Sequence, residues 1–217
     1  MTPNTLDHIA LWVAGRDAMT DALLDAFDIH VIERTDRFTL LGHDARRGKL
    51  TLFDAEGPRE RGALKHIALR VSSLADDPGP LSAGESLELR LVEAETDSEY
   101  DLDHVALFST DPESTAREYR RYGFNPAEPS ADGHPRVEVG GAFVEFHPGE
   151  PGNPERPLLN HLAVLVDSAE EHKNEAEDVG IEVADFVDAA NTIAVFVWLP
   201  ENVKLEYVEH KPTFSLV

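Results

Sequence analysis

The 217-residue chain has no cysteine, which excludes disulfides, thiolate nucleophiles, zinc fingers and iron–sulfur clusters. Any metal must be held by nitrogen and oxygen donors. Long apolar runs are also missing. No stretch nears the ~20 residues that cross a bilayer, and the opening Met1–Val13 has neither the basic start nor the long apolar core of a secretory signal. A soluble, cytoplasmic protein is expected. Basic residues are scarce, with 19 Lys plus Arg against 42 Asp plus Glu and a formal charge of −23. Nucleic acid and anionic membrane surfaces would be repelled, so neither is expected as a partner. Only five of the basic residues are lysines: Lys49, Lys65, Lys173, Lys204 and Lys211. The acidic residues are spread through segments of helical periodicity such as 167–180, as on a protein adapted to high salt, and stability is expected to fall when salt is withdrawn. With 41% hydrophobic residues the chain can build a real core in one or two domains.

What is present is a repeat. Leu6–Leu11, Leu64–Leu69, Leu102–Leu107 and Leu159–Val164 all read Leu-x-His-aliphatic-Ala-aliphatic. Their histidines, His8, His66, His104 and His161, are separated by 58, 38 and 57 residues, the lengths of whole structural units. Period-two alternation makes each copy a strand with the histidine and alanine on one face and the aliphatic residues on the other. The aliphatic face needs a helix. Asp111-Pro112 to Gly123 and Asp167-Ser168 to Gly180 carry start and stop signals for one.

Each unit also closes with a strand: 49–53, 86–91, 142–146 and 203–208. Aligned on the preceding glycine, Gly84 and Gly141 bring Glu88 and Glu145 into register, and Gly48 brings Leu52 there. Glu206 follows the loop 199–202 in the last unit, so three units place a glutamate between large apolar neighbours.

These residues resemble the vicinal oxygen chelate superfamily, which includes glyoxalase I, extradiol dioxygenases and bleomycin-resistance proteins. The resemblance implies an α+β fold of four tandem βαβββ modules, about 5–56, 62–95, 100–148 and 157–210. Pairs of modules would curl into two cup-like half-barrels, with a divalent metal held by first-strand histidines and last-strand glutamates. His66 to Glu88 spans only 22 residues, against 41 from His104 to Glu145 and 45 from His161 to Glu206, so the second module lacks room for its helix. The expected organisation is therefore a partly degenerate N-terminal domain, residues 1–97, and a metal-bearing C-terminal domain, residues 98–217. In some relatives the first and fourth modules share a cup instead, which here would gather His8, His161 and Glu206 with Leu52 in the fourth place.

On the sequential pairing the metal ligands are His104, Glu145, His161 and Glu206, and His8, His66 and Glu88 form a possible second site. A set without sulfur suits one divalent ion: Ni, Zn, Co, Mn or Fe(II). Glu145, Glu206 and the nearby His147 are the candidate catalytic groups, a carboxylate that detaches from the metal serving as base. His30, His43, His134, His172 and His210 are expected to be solvated. Two activities follow from the resemblance. A glyoxalase-like lyase or isomerase, acting on a small substrate with vicinal oxygens, would use both glutamates. An extradiol ring-cleaving dioxygenase would need only His104, His161 and Glu206 on Fe(II), but Phe196 stands ten residues before the last ligand, where that class has a tyrosine, and no histidine stands near Ala190, where the resemblance implies a second catalytic one. The second carboxylate favours the lyase or isomerase, and a non-enzymatic small-molecule binder is the third reading. A monomer or homodimer is expected.

Overall fold

The computed structural model describes residues 1–75 and 78–217. The first module comprises β1 (Thr5–Val13), α1 (Arg16–Ala26), β2 (His30–Arg34), β3 (Phe38–Gly42) and β4 (Lys49–Asp54). The second has β5 (Leu64–Val71), the two-residue β6 (Leu81–Ser82) and β7 (Glu88–Glu93), with no helix among the described residues. The third runs through β8 (Asp101–Ser109), α2 (Pro112–Tyr119), β9 (Asn125–Pro126), β10 (Arg136–Val139) and β11 (Ala142–Pro148). The fourth contains β12 (Leu159–Leu165), α3 (Ala169–Asp178), β13 (Val183–Asp188), β14 (Thr192–Leu199) and β15 (Val203–His210). The α+β architecture and the shortened second module agree with the sequence reading.

The predicted helix starts are present. Asp111 accepts the Ser114 amide at 3.0 Å with Pro112 in the first turn of α2, and Ser168 accepts the Glu171 amide at 3.2 Å at the start of α3. Neither serine, threonine, aspartate nor asparagine caps α1. Instead Glu85, on the second module, receives the Ala14 and Gly15 amides at 2.9 Å each.

The strands form two sheets. One has eight strands in the order β13-β14-β15-β12-β1-β4-β3-β2; the other has seven, β6-β7-β5-β8-β11-β10-β9. The junction in each is an antiparallel pair of histidine strands, β1 with β12 and β5 with β8. The first module therefore shares a sheet with the fourth, and the second with the third. This corrects the division at residues 97 and 98, since the strands of His104 and His161 lie in different sheets. The physical reason is that the four junction strands have nearly the same sequence, so nothing local to them selects one pairing over the other.

The aliphatic faces of both sheets and the inner faces of the helices meet in one core that includes Ile9, Leu11, Ile67, Val105, Tyr119, Leu162 and Tyr207. Truncating a leucine in such a core costs about 2–5 kcal/mol. Close backbone contacts join the two sheets: Gly140, at φ 56°, packs so tightly on Asn4 that a Cβ there would sit 1.8 Å from the Asn4 carbonyl oxygen. The opposite faces, carrying the histidines, are left free for chemistry.

Candidate metal centre

Register decides which residues meet on the histidine faces. In β12 and β15 Ala163 pairs with Glu206, and in β8 and β11 Ala106 pairs with Glu145. The same alanine pairs with Thr51 in the first module and with Arg90 in the second. Leu52 and Glu88 are therefore not the counterparts of the glutamates, as the glycine alignment had them. Leu52 is fully buried on the core side, and Glu88 lies two residues before Arg90, in an ion pair with it at 2.7 Å. The alignment slipped because the turn before β7 uses non-glycine residues in the left-handed region. Glu85 and Ser86 have φ 46° and 65°, as Gly140-Gly141 and Glu201-Asn202 do before β11 and β15. Counted from the second residue of each pair, Arg90, Glu145 and Glu206 are equivalent.

The eight-stranded sheet gathers His8, His161 and Glu206. The two Nε2 atoms are 3.0 Å apart, and Glu206 Oε2 lies 2.8 Å from His161 Nε2 and 3.3 Å from His8 Nε2. His161 and Glu206 are buried, and His8 is nearly so. The outer nitrogens are both engaged: His8 Nδ1 donates to Asp7 Oδ2 at 2.8 Å, and His161 Nδ1 to Asn160 Oδ1 at 3.1 Å. That fixes the tautomer and turns both Nε2 lone pairs toward the same point. Asp7 is buried and also receives Lys49 Nζ and His210 Nε2 at 2.9 Å each. Thr51 holds the fourth place.

Burial works against charge here, and the neighbours overcome it. Burial alone would lower the His8 pKa, but the Glu206 charge and the Asp7 hydrogen bond raise it to about 9. Burial would raise the Glu206 pKa, yet the two imidazoles bring it down to about 2. Asp7 is held well below the usual carboxylate range, despite its burial, by Lys49, His210 and His8. Burial moves His161 below its ordinary value, with Glu206 opposing. Three electron-pair donors thus converge on one point, and without a cation a proton must hold them together. A divalent ion bound by nitrogen and oxygen fits this donor set.

The seven-stranded sheet brings His104 and Glu145 to its own histidine face, away from His161 and Glu206, so the four predicted ligands do not form one site. His66 and His104 face each other through Nε2 atoms 2.9 Å apart. His104 Nδ1 donates to Asp103 at 2.7 Å, so its Nε2 accepts the proton of His66 Nε2. His66 Nδ1 is then buried with no partner, because Lys65 stands where the other repeats have Asp7, Asp103 and Asn160. Burial, then His104, Arg90, Lys65 and His147, push the His66 pKa down to about 2 and keep it neutral. Lys65 donates to His147 Nδ1 at 3.0 Å, and His147 Nε2 to Glu145 at 2.7 Å. His147 is therefore buried and tied to Glu145, remote from the triad. Among the described residues His8, His161 and Glu206 are the one group of three such side chains that converges.

Two histidines expected to be solvated are not. His210 holds Asp7, and His172 is buried, donating from Nδ1 to the Ser168 carbonyl at 2.9 Å while Nε2 accepts the Thr2 amide at 3.2 Å. The residue before the repeat histidine holds the ring in three of the four copies, and the series Asp7, Lys65, Asp103 and Asn160 is the signal of this in the sequence.

The triad is walled by aromatic rings. Phe196 lies 5.5 Å from the His161 ring and Phe53 6.3 Å from it, and Phe53 packs on Trp12 and Phe38 at 5.4 and 5.7 Å. A concavity of about 550 Å³ beside His43, Ser98 and Val217 contains none of the three.

No protein-family model and no curated protein matches the sequence. Solved structures do match. A candidate dioxygenase from Bacillus subtilis subsp. subtilis str. 168 superposes with a TM-score of 0.75 at 14% identity, covering 97% of this chain and 86% of that one. Glyoxalase I from Zea mays gives a TM-score of 0.70 at 13% identity, covering 94% and 92%. At this identity the likeness speaks for the fold alone, which is glyoxalase-like.

Proposed function

We propose that the chain is a divalent-metal-dependent enzyme of the extradiol dioxygenase type, opening an aromatic diol with Fe(II) held by His8, His161 and Glu206. One observation carries this reading: the converging set is two imidazoles and one carboxylate, with neutral Thr51 in the fourth place. That donor set, with its remaining positions open, is characteristic of non-haem Fe(II) oxygenases. When bound, the ion supplies Lewis acidity and one-electron chemistry to a diol and dioxygen. The chain contributes the rest. Asp7 and Asn160 hold the imidazoles in one tautomer and orientation. Phe53, Phe196 and their neighbours offer an apolar wall of tilted rings that suits an aromatic substrate.

The glyoxalase-like lyase or isomerase drew its support from Glu145 as a second carboxylate beside the metal. Glu145 is on the other sheet, held by His147. Asp7, the further carboxylate at the triad, is occupied by Lys49, His210 and His8. No carboxylate beyond Glu206 is thus free to act as base there among the described residues.

The test is oxygen uptake with catechols by Fe(II)-loaded protein, run beside isomerisation of methylglyoxal–thiol adducts. Oxygen-dependent coloured ring-cleavage product that survives Glu145→Gln and is lost in Glu206→Gln is expected. Metal-dependent isomerisation without oxygen uptake would reject the proposal in favour of the lyase or isomerase.

A further inference from the structure

The five lysines of this acidic chain do not share one fate. Lys49 pairs with Asp7 at 2.9 Å, Lys173 with Glu177 at 3.3 Å and Lys211 with Asp188, while Lys65 donates to His147. Lys204 has neither a carboxylate nor a hydrogen-bond partner among the described residues. Its ammonium lies over the rings of Phe196 and Trp198, 5.5 and 5.1 Å from their centroids. Its place in the repeat shows why it differs from Lys49.

Lys49 stands opposite His8 in the β1–β4 pair. Continuing the β12–β15 register by one residue from Leu162 and Leu205 sets Lys204 opposite His161 in the same way. The two lysines are structural equivalents. In the first module the residue before the histidine is Asp7, which draws Lys49 into a buried pair. In the fourth that residue is Asn160, uncharged and already accepting from His161. Lys204 also shares a strand face with Glu206, two residues along, a spacing of about 7 Å. It is therefore a cation without a counter-charge beside the triad, its ammonium over the aromatic rings of Phe196 and Trp198.

We propose that Lys204 binds an anionic substituent of the substrate, so that the site selects aromatic diols carrying a carboxylate over neutral catechol. The inference rests on reading the triad as a diol site. A net charge of −23 repels small anions as they approach, so an anionic substrate needs a local cation to be retained. A short charge-assisted contact supplies one, and salt that screens the long-range field weakens it much less.

Binding, measured apart from turnover, tests this. Calorimetric titration of the anaerobic, Fe(II)-loaded full chain with 3,4-dihydroxybenzoate and with catechol, at one fixed salt concentration, gives the affinity ratio. A preference of about ten- to a hundredfold for the carboxylated diol is expected, the value of one charged hydrogen bond. In Lys204→Gln the ratio should fall to near one through weaker carboxylate binding alone, with Lys204→Arg retaining most of it. Lys173→Gln, which changes the net charge equally, should leave it intact. An unchanged ratio in Lys204→Gln, equal weakening of both diols, or no binding of either diol would overturn the proposal. Oxygen uptake is scored separately: a Lys204-dependent preference without oxygen consumption would uphold the ligand class and reject the dioxygenase.

Discussion

The two histidine faces descend from the same strand repeat and have opposite chemistry. On the eight-stranded sheet, Asp7 and Asn160 accept the Nδ1 protons, so lone pairs from His8, His161 and Glu206 meet with nothing but a proton between them. On the seven-stranded sheet Lys65 stands before His66 and Arg90 takes the place that Thr51 has on the other, and the groups that would face a metal pair with one another instead: His66 Nε2 with His104, His147 with Glu145. One face has a surplus of electron pairs, the other a surplus of positive charge. A metal site is thus lost without losing its histidines, by changing the residue before one of them and the residue at the end of the module.

The sharpest way to break this comparison is to remove ligands from each face. His161→Ala or Glu206→Gln should abolish stoichiometric metal binding, a loss of more than about a hundredfold in affinity, whereas His104→Ala and Glu145→Gln should leave it unchanged. Elemental analysis of the purified variants decides; metal lost with His104 instead would place the site on the wrong sheet.

A gain of function is the converse test. Restoring the seven-stranded face with Lys65→Asp and Arg90→Glu together gives His66 an acceptor and supplies a second carboxylate beside Glu145. Bound metal should rise from one equivalent toward two by titration, and no increase would mean that the second face differs in more than these residues.

Asp7 links positioning to stability. Asp7→Asn should weaken metal binding by about 10- to 100-fold through a misoriented His8. It should also lower stability by about 3–5 kcal/mol, because Lys49 is left buried without its counter-charge. Asp103→Asn, the matched change on the other face, should leave metal affinity alone. Chemical denaturation and competition titration measure the two effects.

The last expected effect is on acid stability. His66 is neutral in the fold to about pH 2 but takes a proton near 6.5 when unfolded. The unfolded state then binds more protons below pH 6.5, so His66 costs stability as pH falls, by up to about 1.4 kcal/mol per unit. His66→Leu should flatten that part of the stability profile between pH 6.5 and 4. An unchanged slope would mean that His66 accepts the proton in the fold.

Much of this was legible in the chain. The four Leu-x-His strands, the caps at Asp111 and Ser168 and the shortened second module are all local patterns, and local patterns survive without a structure. The position of Arg90 was not legible, because the left-handed turn before it is built from Glu85 and Ser86 where glycine would be looked for. Nor was the anchoring role of His210, which comes to Asp7 from the last strand of the chain.

The sequence by itself determined the modules, their strands and the residue types that could bind a metal, since alternation, caps and donor chemistry are properties of short segments. The tertiary structure alone decided which histidines face one another. Strands β1 and β12 are separated by most of the chain and pair through backbone hydrogen bonds that any of the four near-identical strands could make. That choice brought His8 to His161 and Glu206, and set Lys204, not Glu145, beside them.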